Sequence, residues 1–174
     1  MDDKALFSIS CGLYVVGARN GEGLAGCIVD AFIQATAFPA TVILCSQRQT
    51  LTNACIKATG QFSVSVLRED VDPFVVALFG FQSSRAVEKW GHVPYELQDG
   101  LPVLKNRAAW LTCGVLFTSE LATHTLFHCE VKKTEQGEGV PLTYGDYRAR
   151  MKNATVAAFQ AFKKKRAAHG ADEP

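Results

Sequence analysis

The sequence predicts a mainly β protein whose strands close, or partly close, into a barrel, with a few short helices and a helical C-terminal tail. Three observations carry that expectation. Apolar, β-branched runs recur between turn signals along the first two thirds of the chain. The helical stretches between them are too short to be the crossovers that a doubly wound parallel sheet needs after every strand. Finally, the glycine-rich stretch at 17–26 lacks GxGxxG spacing and a following helix, and no P-loop occurs.

Taken in order, "GLYVVGA" (12–18) is a compact strand and "RNGEG" (19–23) a tight-turn signal centred on Asn20-Gly21. "LAGCIVDAFIQAT" (24–36) reads as one apolar strand bent near Asp30, and "TVILCSQ" (41–47) as a buried strand. "TLTNACIKATG" (50–60) is a helix, with Thr50 or Thr52 as its N-cap and Gly60 as its stop. "QFSVSVLRED" (61–70) alternates like a strand, while Asp72, Pro73 and Gly80 bracket a second helix. A loop at 81–85 leads into a short helix carrying Lys89, and 99–106 reads as turn and loop. Residues 108–121 and 123–136 form an antiparallel pair, 137–148 is turn-rich, and 148–170 has helical spacing with a basic end at Lys163–Arg166.

The chain's 174 residues, 48% hydrophobic and 20% charged, suit a globular chain with a sizeable core. The segmentation is a barrel domain over 1–150 and a helical tail over 151–174. A formal net charge of +1 argues against bulk attraction to nucleic acid or to an anionic membrane surface. No apolar run is long enough to span a bilayer, and the start, "MDDKALFS", is acidic where a signal peptide is basic. The six scattered cysteines form no CxxC pair, which fits thiols in a reducing compartment, so a cytoplasmic location is expected. Cys113 lacks a basic neighbour and reads as a small core hydrophobe.

Two segments share one chemical theme. "SQRQTLTN" (46–53) and "FQSSR" (81–85) each place a cation, hydroxyls and amides ahead of a helix, where unpaired N–H groups favour an anion such as phosphate. Arg48, Thr52, Ser83 and Arg85 are the candidate donors; the competing reading is that the hydroxyls cap helices and the arginines are solvated. A third segment, "CIVDAFIQAT" (27–36), sets Asp30, Gln34 and Thr36 among apolar residues, as a flat heterocycle requires or as any strand with one wet face shows. His124 and His128 share a strand face, a spacing unsuited to a helical metal site, and no metal site is expected.

The order of "NGEGLAGCIVDAFIQAT", "SQRQTLTNACIKATGQFSVSVL", "FGFQSSRAVEKW", "THTLFHCEV" and "PLTYGDYR" resembles the flavin reductase-like family, from about Leu13 to Arg148. The resemblance implies an FMN-binding split β-barrel of Greek-key type, a homodimer, and hydride or electron transfer through FMN, with NADH or NADPH as donor. It implies that Asp30, Ala31, Phe32, Ile33 and Gln34 contact the flavin ring and ribityl chain, largely through backbone. Gln47, Arg48 and Thr52, with Ser83, Arg85 and Lys89, would lie near the phosphate. His124 would face the open side of the flavin, toward the substrate, and Tyr144 and Tyr147 would close the pocket or pack a turn. No side chain is assigned as a catalytic acid or base.

Four stretches depart from the family pattern: Asp30-Ala31 replaces Asn followed by Ser or Thr, "ATAFPA" replaces S-x-x-P-P, Ser84 replaces a glycine, and Thr123 replaces an acidic residue. Ser84 predicts a strained or reshaped loop. Three functions remain open: an NAD(P)H-dependent reductase handing electrons to a flavin, a metal or a protein acceptor such as an oxygenase; a relay between redox proteins such as a rubredoxin-like or flavo-diiron partner; and a relative that has lost its flavin.

Overall fold

The computed structural model of the chain describes residues 3–170; Met1, Asp2 and the last four residues of the expected tail lie outside them. Nine strands and four α-helical segments follow in order. They are β1 (Tyr14–Asn20), β2 (Gly23–Val29), β3 (Phe32–Thr36), β4 (Thr41–Gln47), α1 (Leu51–Thr59), β5 (Gln61–Val66) and α2 (Pro73–Phe81). After them come β6 (Tyr95–Gln98), β7 (Leu101–Leu104), β8 (Ala109–Glu120), β9 (His124–Gln136), a single turn α3 (Tyr144–Asp146) and α4 (Lys152–Gly170).

Seven strands form one antiparallel sheet in the order β2-β1-β5-β8-β9-β4-β3, and β6 and β7 form a separate hairpin. The end strands β2 and β3 do not pair, so the sheet stays open. It is nonetheless rolled. Tyr14 of β1 meets Phe32 of β3 edge-on at 5.2 Å between ring centroids, although the two strands lie near opposite ends of the sheet order. One core cluster gathers Val16, Cys27, Phe32, Leu44, Phe62, Cys113 and Phe127 from all seven strands, with Ile56 of α1 among them. The ends are therefore closed by side chains instead of backbone hydrogen bonds, which is how a split barrel avoids a void without a complete ladder.

Local chemistry explains most of the elements. Thr50 caps α1 by accepting the Asn53 N–H at 3.1 Å, and Gly60 ends the helix at φ +68°. Asp72 caps α2 with Pro73 in the first turn, and the helix runs one residue past Gly80 to Phe81.

The structure redraws several boundaries. The expected single strand over 24–36 is two strands, broken at Asp30-Ala31, that belong to opposite edges of the sheet. An apolar run contains no signal for a change of partner. Residues 82–89 form turns instead of a short helix, and only Trp90–His92 makes a 3-10 turn. The expected loop over 99–106 begins at the turn of the β6–β7 hairpin, Asp99-Gly100, where both residues take positive φ. β5 stops at Val66, short of the expected Asp70. The C-terminal helix starts with a π-turn over Tyr147–Met151 before α4. α4 then lies on α2 through Phe74–Phe162 and Phe81–Phe159 ring contacts at 5.4 and 5.5 Å. No described helix is long and apolar enough to cross a membrane.

Candidate functional site

Both anion-seeking segments open onto one cleft of about 360 Å³. Its walls are β2 from Gly26 to Val29, Gln47 and Gln49 after β4, the start of α1, the end of α2, and the loop carrying Gln82, Ser83, Ser84 and Lys89.

The start of α1 is shaped by a division of labour between two threonines. Thr50 acts as the N-cap, and Thr52, two residues further on, is released from that task. Asn53 fastens the helix to β4 by donating to the Ser46 carbonyl at 3.1 Å. Thr52 is buried at 1% exposure, and its Oγ1 lies beside the Cys27 thiol, a weak partner. Among the described residues five buried side-chain polar atoms lack a hydrogen-bond partner, and Thr52 Oγ1 is the one that lines this cleft. An orphaned hydroxyl beside the free N–H groups of a helix start is costly in an apo protein and useful to an anion.

The opposite wall is held by β2. Ser84 Oγ donates to the Gly26 carbonyl at 2.9 Å and accepts the Gly26 N–H at 3.2 Å. Trp90 is buried and donates from Nε1 to the Ala25 carbonyl at 3.1 Å, its ring edge-on to Phe79 at 4.8 Å. Between these anchors Lys89 is drawn inward to 2% exposure, where Nζ donates to the carbonyls of Gly26 at 2.9 Å and Phe79 at 3.2 Å. Burial pushes its pKa down to about 8, and the Cys27 thiol beside it works in the opposite direction. The two carbonyls favour the ammonium, so at neutral pH the cleft wall carries a cation with a third donor unspent.

The structure brings Gln47, Thr52, Ser83 and Lys89 together at the cleft. Ser83 also serves its own loop: its Oγ accepts the Arg85 N–H at 3.2 Å, closing a turn where the capping reading expected a helix. Arg85 is exposed outside the cleft lining, and its charge is felt at Cys55 on α1, where it opposes the larger effect of burial on that thiol. Arg48 turns to Glu120 at 3.0 Å and lines a neighbouring hollow. Asp30, Ala31, Ile33 and Gln34 are exposed, whereas the Phe32 side chain is in the core and has only its backbone to offer. His124 is half-buried next to Gln47 across the β4–β9 ladder, with Nδ1 2.8 Å from Thr123 Oγ1.

Ser84 does not strain its loop: among the described residues Asp99 is the one non-glycine at positive φ. Tyr144 and Tyr147 stack on each other at 5.9 Å, and Tyr147 is buried in a second core with Leu13, Leu142 and Trp90, away from the cleft lining. Burial pushes the Cys113 thiol far up, reinforced by Cys129, which leaves it inert. Sequence reasoning missed the β2 wall, because nothing in "LAGCIV" shows that two donors from residues 58 and 63 positions away converge on Gly26. The tightness of that contact is legible only in space, where a Cβ on Gly26 would fall 2.7 Å from the Phe79 ring.

A rolled, unclosed antiparallel sheet with an anion-ready cleft at the start of its first helix defines a split-barrel protein. Residues 6–153 match the family described as flavin reductase like domain. The chain is 34% identical over 152 residues to the high molecular weight rubredoxin of Moorella thermoacetica, covering 84% of this chain and 66% of that protein. It therefore spans just under two thirds of that relative's length. It is 32% identical over 158 residues to the ferric-chelate reductase (NAD(P)H) of Archaeoglobus fulgidus, covering 89% of this chain and 94% of that one. Among solved structures, the styrene monooxygenase flavin reductase of Pseudomonas putida S12 superposes with a TM-score of 0.72 at 28% identity, over 83% of this chain and 92% of that one. The chain belongs to the flavin reductase-like family and is an oxidoreductase.

Proposed function

We propose that the chain is an FMN-dependent reductase that takes hydride from NADH or NADPH and passes electrons to a flavin, a metal or a protein acceptor, working as a homodimer in the cytoplasm. The observation that carries this reading is the cleft itself: an orphaned Thr52 hydroxyl, the free N–H groups of Leu51 and Thr52, and a buried Lys89 facing one space. A phosphate monoester supplies acceptors for the hydroxyl, the N–H groups and the donor of Lys89 that its two carbonyl partners leave unspent. That match favours FMN over a flavin whose phosphates are esterified on both sides.

When bound, the flavin accepts hydride and releases electrons to the acceptor; the chain supplies position and electrostatics. Thr52, Lys89 and Ser83 hold the phosphate, with Gln47 at the cleft's edge. Arg85 adds charge from outside the lining. The segment from Asp30 to Gln34, which leads into β3, serves the ring and ribityl chain through backbone groups, since β3 is an edge strand with one side unpaired. His124 lies on the Gln47 side and orients the donor or acceptor. No side chain is needed as acid or base for hydride transfer.

The homodimer is supported by exposed apolar side chains at one strand edge and one bulge. Ile33 on β3 is 58% exposed. On β8 a register shift between Val115 and Phe117 leaves the successive residues Leu116 and Phe117 exposed at 56% and 60%. The six free cysteines support the cytoplasm as the compartment. A second reading, a relay that receives electrons from a protein instead of a nicotinamide, is favoured by the similarity to the high molecular weight rubredoxin.

Anaerobic titration separates the two. FMN-loaded protein that loses its yellow colour on addition of NADH or NADPH is a reductase. Protein that bleaches with dithionite yet ignores both nicotinamides is a relay, and protein that cannot be loaded with FMN overturns the proposal.

A further inference from the structure

Beside the cleft lies a second hollow of about 500 Å³, lined by Gln47, Arg48, Gln49, Lys57, Ala122 and Thr123. Gln47 and Gln49 line both spaces, so the two are neighbours that share a wall. Three elements meet here: the β4–α1 loop, the last turn of α1, and the β8–β9 turn, which is tied to the first by Arg48 N–H donating to the Thr123 carbonyl at 3.0 Å.

The hollow's charge is arranged around one carboxylate. Glu120 pairs with Arg48 Nε at 3.0 Å and with Lys57 Nζ at 2.5 Å. Thr125 Oγ1 lies 3.4 and 3.5 Å from its two oxygens, further holding it in place. Two cations against one anion leave a local excess of one positive charge, with both cationic side chains about half exposed. Arg48 uses Nε for Glu120, so its two terminal amino groups remain for a further acceptor.

We propose that this hollow receives the phosphate-bearing part of the nicotinamide dinucleotide donor, with Arg48 and Lys57 as its anion contacts and Glu120 as the carboxylate that holds both cations in place. The inference rests on the reductase reading above. It gives Arg48 a different partner from the flavin phosphate: the hydrogen-bonding face of its guanidinium is committed to Glu120 and the hollow, and it does not line the cleft. A donor whose nicotinamide stacks on the flavin ring on the His124 side lays its diphosphate a few bonds away. Thr123, whose Oγ1 is 2.8 Å from His124 Nδ1, lines the hollow, and two cations stand in its wall. Exposed charge pairs contribute modestly, so each cation should account for roughly a fivefold change in affinity.

The test uses FMN-loaded protein, one unreactive dinucleotide and two donors. Binding of the unreactive NADP+ is measured by calorimetry, and turnover is followed with NADPH and with reduced nicotinamide riboside, which has no phosphate. Arg48→Ala and Lys57→Ala should each weaken NADP+ binding and raise KM for NADPH roughly fivefold, with kcat unchanged. Turnover of the riboside and the affinity for FMN should stay at wild-type levels. Wild-type NADP+ affinity in both alanine variants overturns the inference, and so does an equal loss with the phosphate-free donor. If wild-type protein binds FMN but neither binds NADP+ nor oxidises any of the donors, the reductase reading falls together with it.

Discussion

Thr52→Val isolates the feature on which the cleft depends. The substitution keeps the shape and β-branching of the side chain and removes only a hydroxyl that is buried with no hydrogen-bond partner. An unsatisfied buried polar group costs about 1–3 kcal/mol. Its removal should therefore stabilise the flavin-free protein by about that amount, discounted toward the lower end by the weak contact with Cys27. For a chain of this size each kcal/mol moves the melting temperature by about 2–4 °C. Flavin binding should move in the opposite direction. A hydroxyl donating to a phosphate dianion is a charge-assisted hydrogen bond worth about 1.5–3 kcal/mol, or roughly 10- to 150-fold in affinity. Thermal unfolding of the flavin-free protein and fluorescence titration with FMN read the two effects separately. A variant that is less stable without flavin, or that binds FMN as wild type does, would show that the hydroxyl serves the fold and not a ligand.

Other outcomes follow from the same geometry. In the unfolded chain Lys89 titrates near its ordinary value of 10.5, and in the fold burial brings it to about 8. Between those values the unfolded chain holds a proton that the folded chain has released, so the stability of the flavin-free protein should rise with pH through that window. A bound phosphate favours the protonated amine, so FMN affinity should fall as pH climbs past about 8; equilibrium dialysis across pH should show this slope in wild type and its absence in Lys89→Met. Ser84→Gly removes both hydrogen bonds to Gly26 and should destabilise the protein by roughly 1–3 kcal/mol, lowering the melting temperature; an unchanged value would mean that Lys89 and Trp90 suffice to hold the loop. Gly26→Ala forces a methyl to within 2.7 Å of the Phe79 ring and should lower both stability and FMN retention. Phe117→Asp should shift the protein from dimer to monomer in sedimentation velocity if the exposed β8 bulge is the subunit contact.

The parts of this fold that were legible in the sequence are those with local causes. Caps at Thr50 and Asp72, the stop at Gly60 and the long β8–β9 pair each follow from residues within a few positions of one another. The barrel class followed from strand spacing. The partner switch between β2 and β3 was hidden because both strands share one apolar run, and which edge each joins is decided by contacts such as Tyr14 on Phe32. The β6–β7 hairpin was hidden behind Pro102, which discourages a strand reading although it is seated in a two-stranded edge pairing. At the site, the two anion-seeking segments were visible as composition, and their convergence on one cleft was not. Two cations illustrate the limit: as sequence, Arg48 and Lys89 look equally suited to a phosphate. Glu120, 72 positions after Arg48, turns one toward a separate hollow, while Gly26 and Phe79 draw the other into the wall.

The central claim is that the start of α1 and the loop ending at Lys89 grip a phosphate. Comparing FMN with riboflavin, which differs only by that group, measures it directly. The account predicts that FMN binds at least about 100-fold more tightly, the sum of two charge-assisted contacts, and that inorganic phosphate competes with FMN but not with riboflavin. Equal affinities for the two flavins would contradict it.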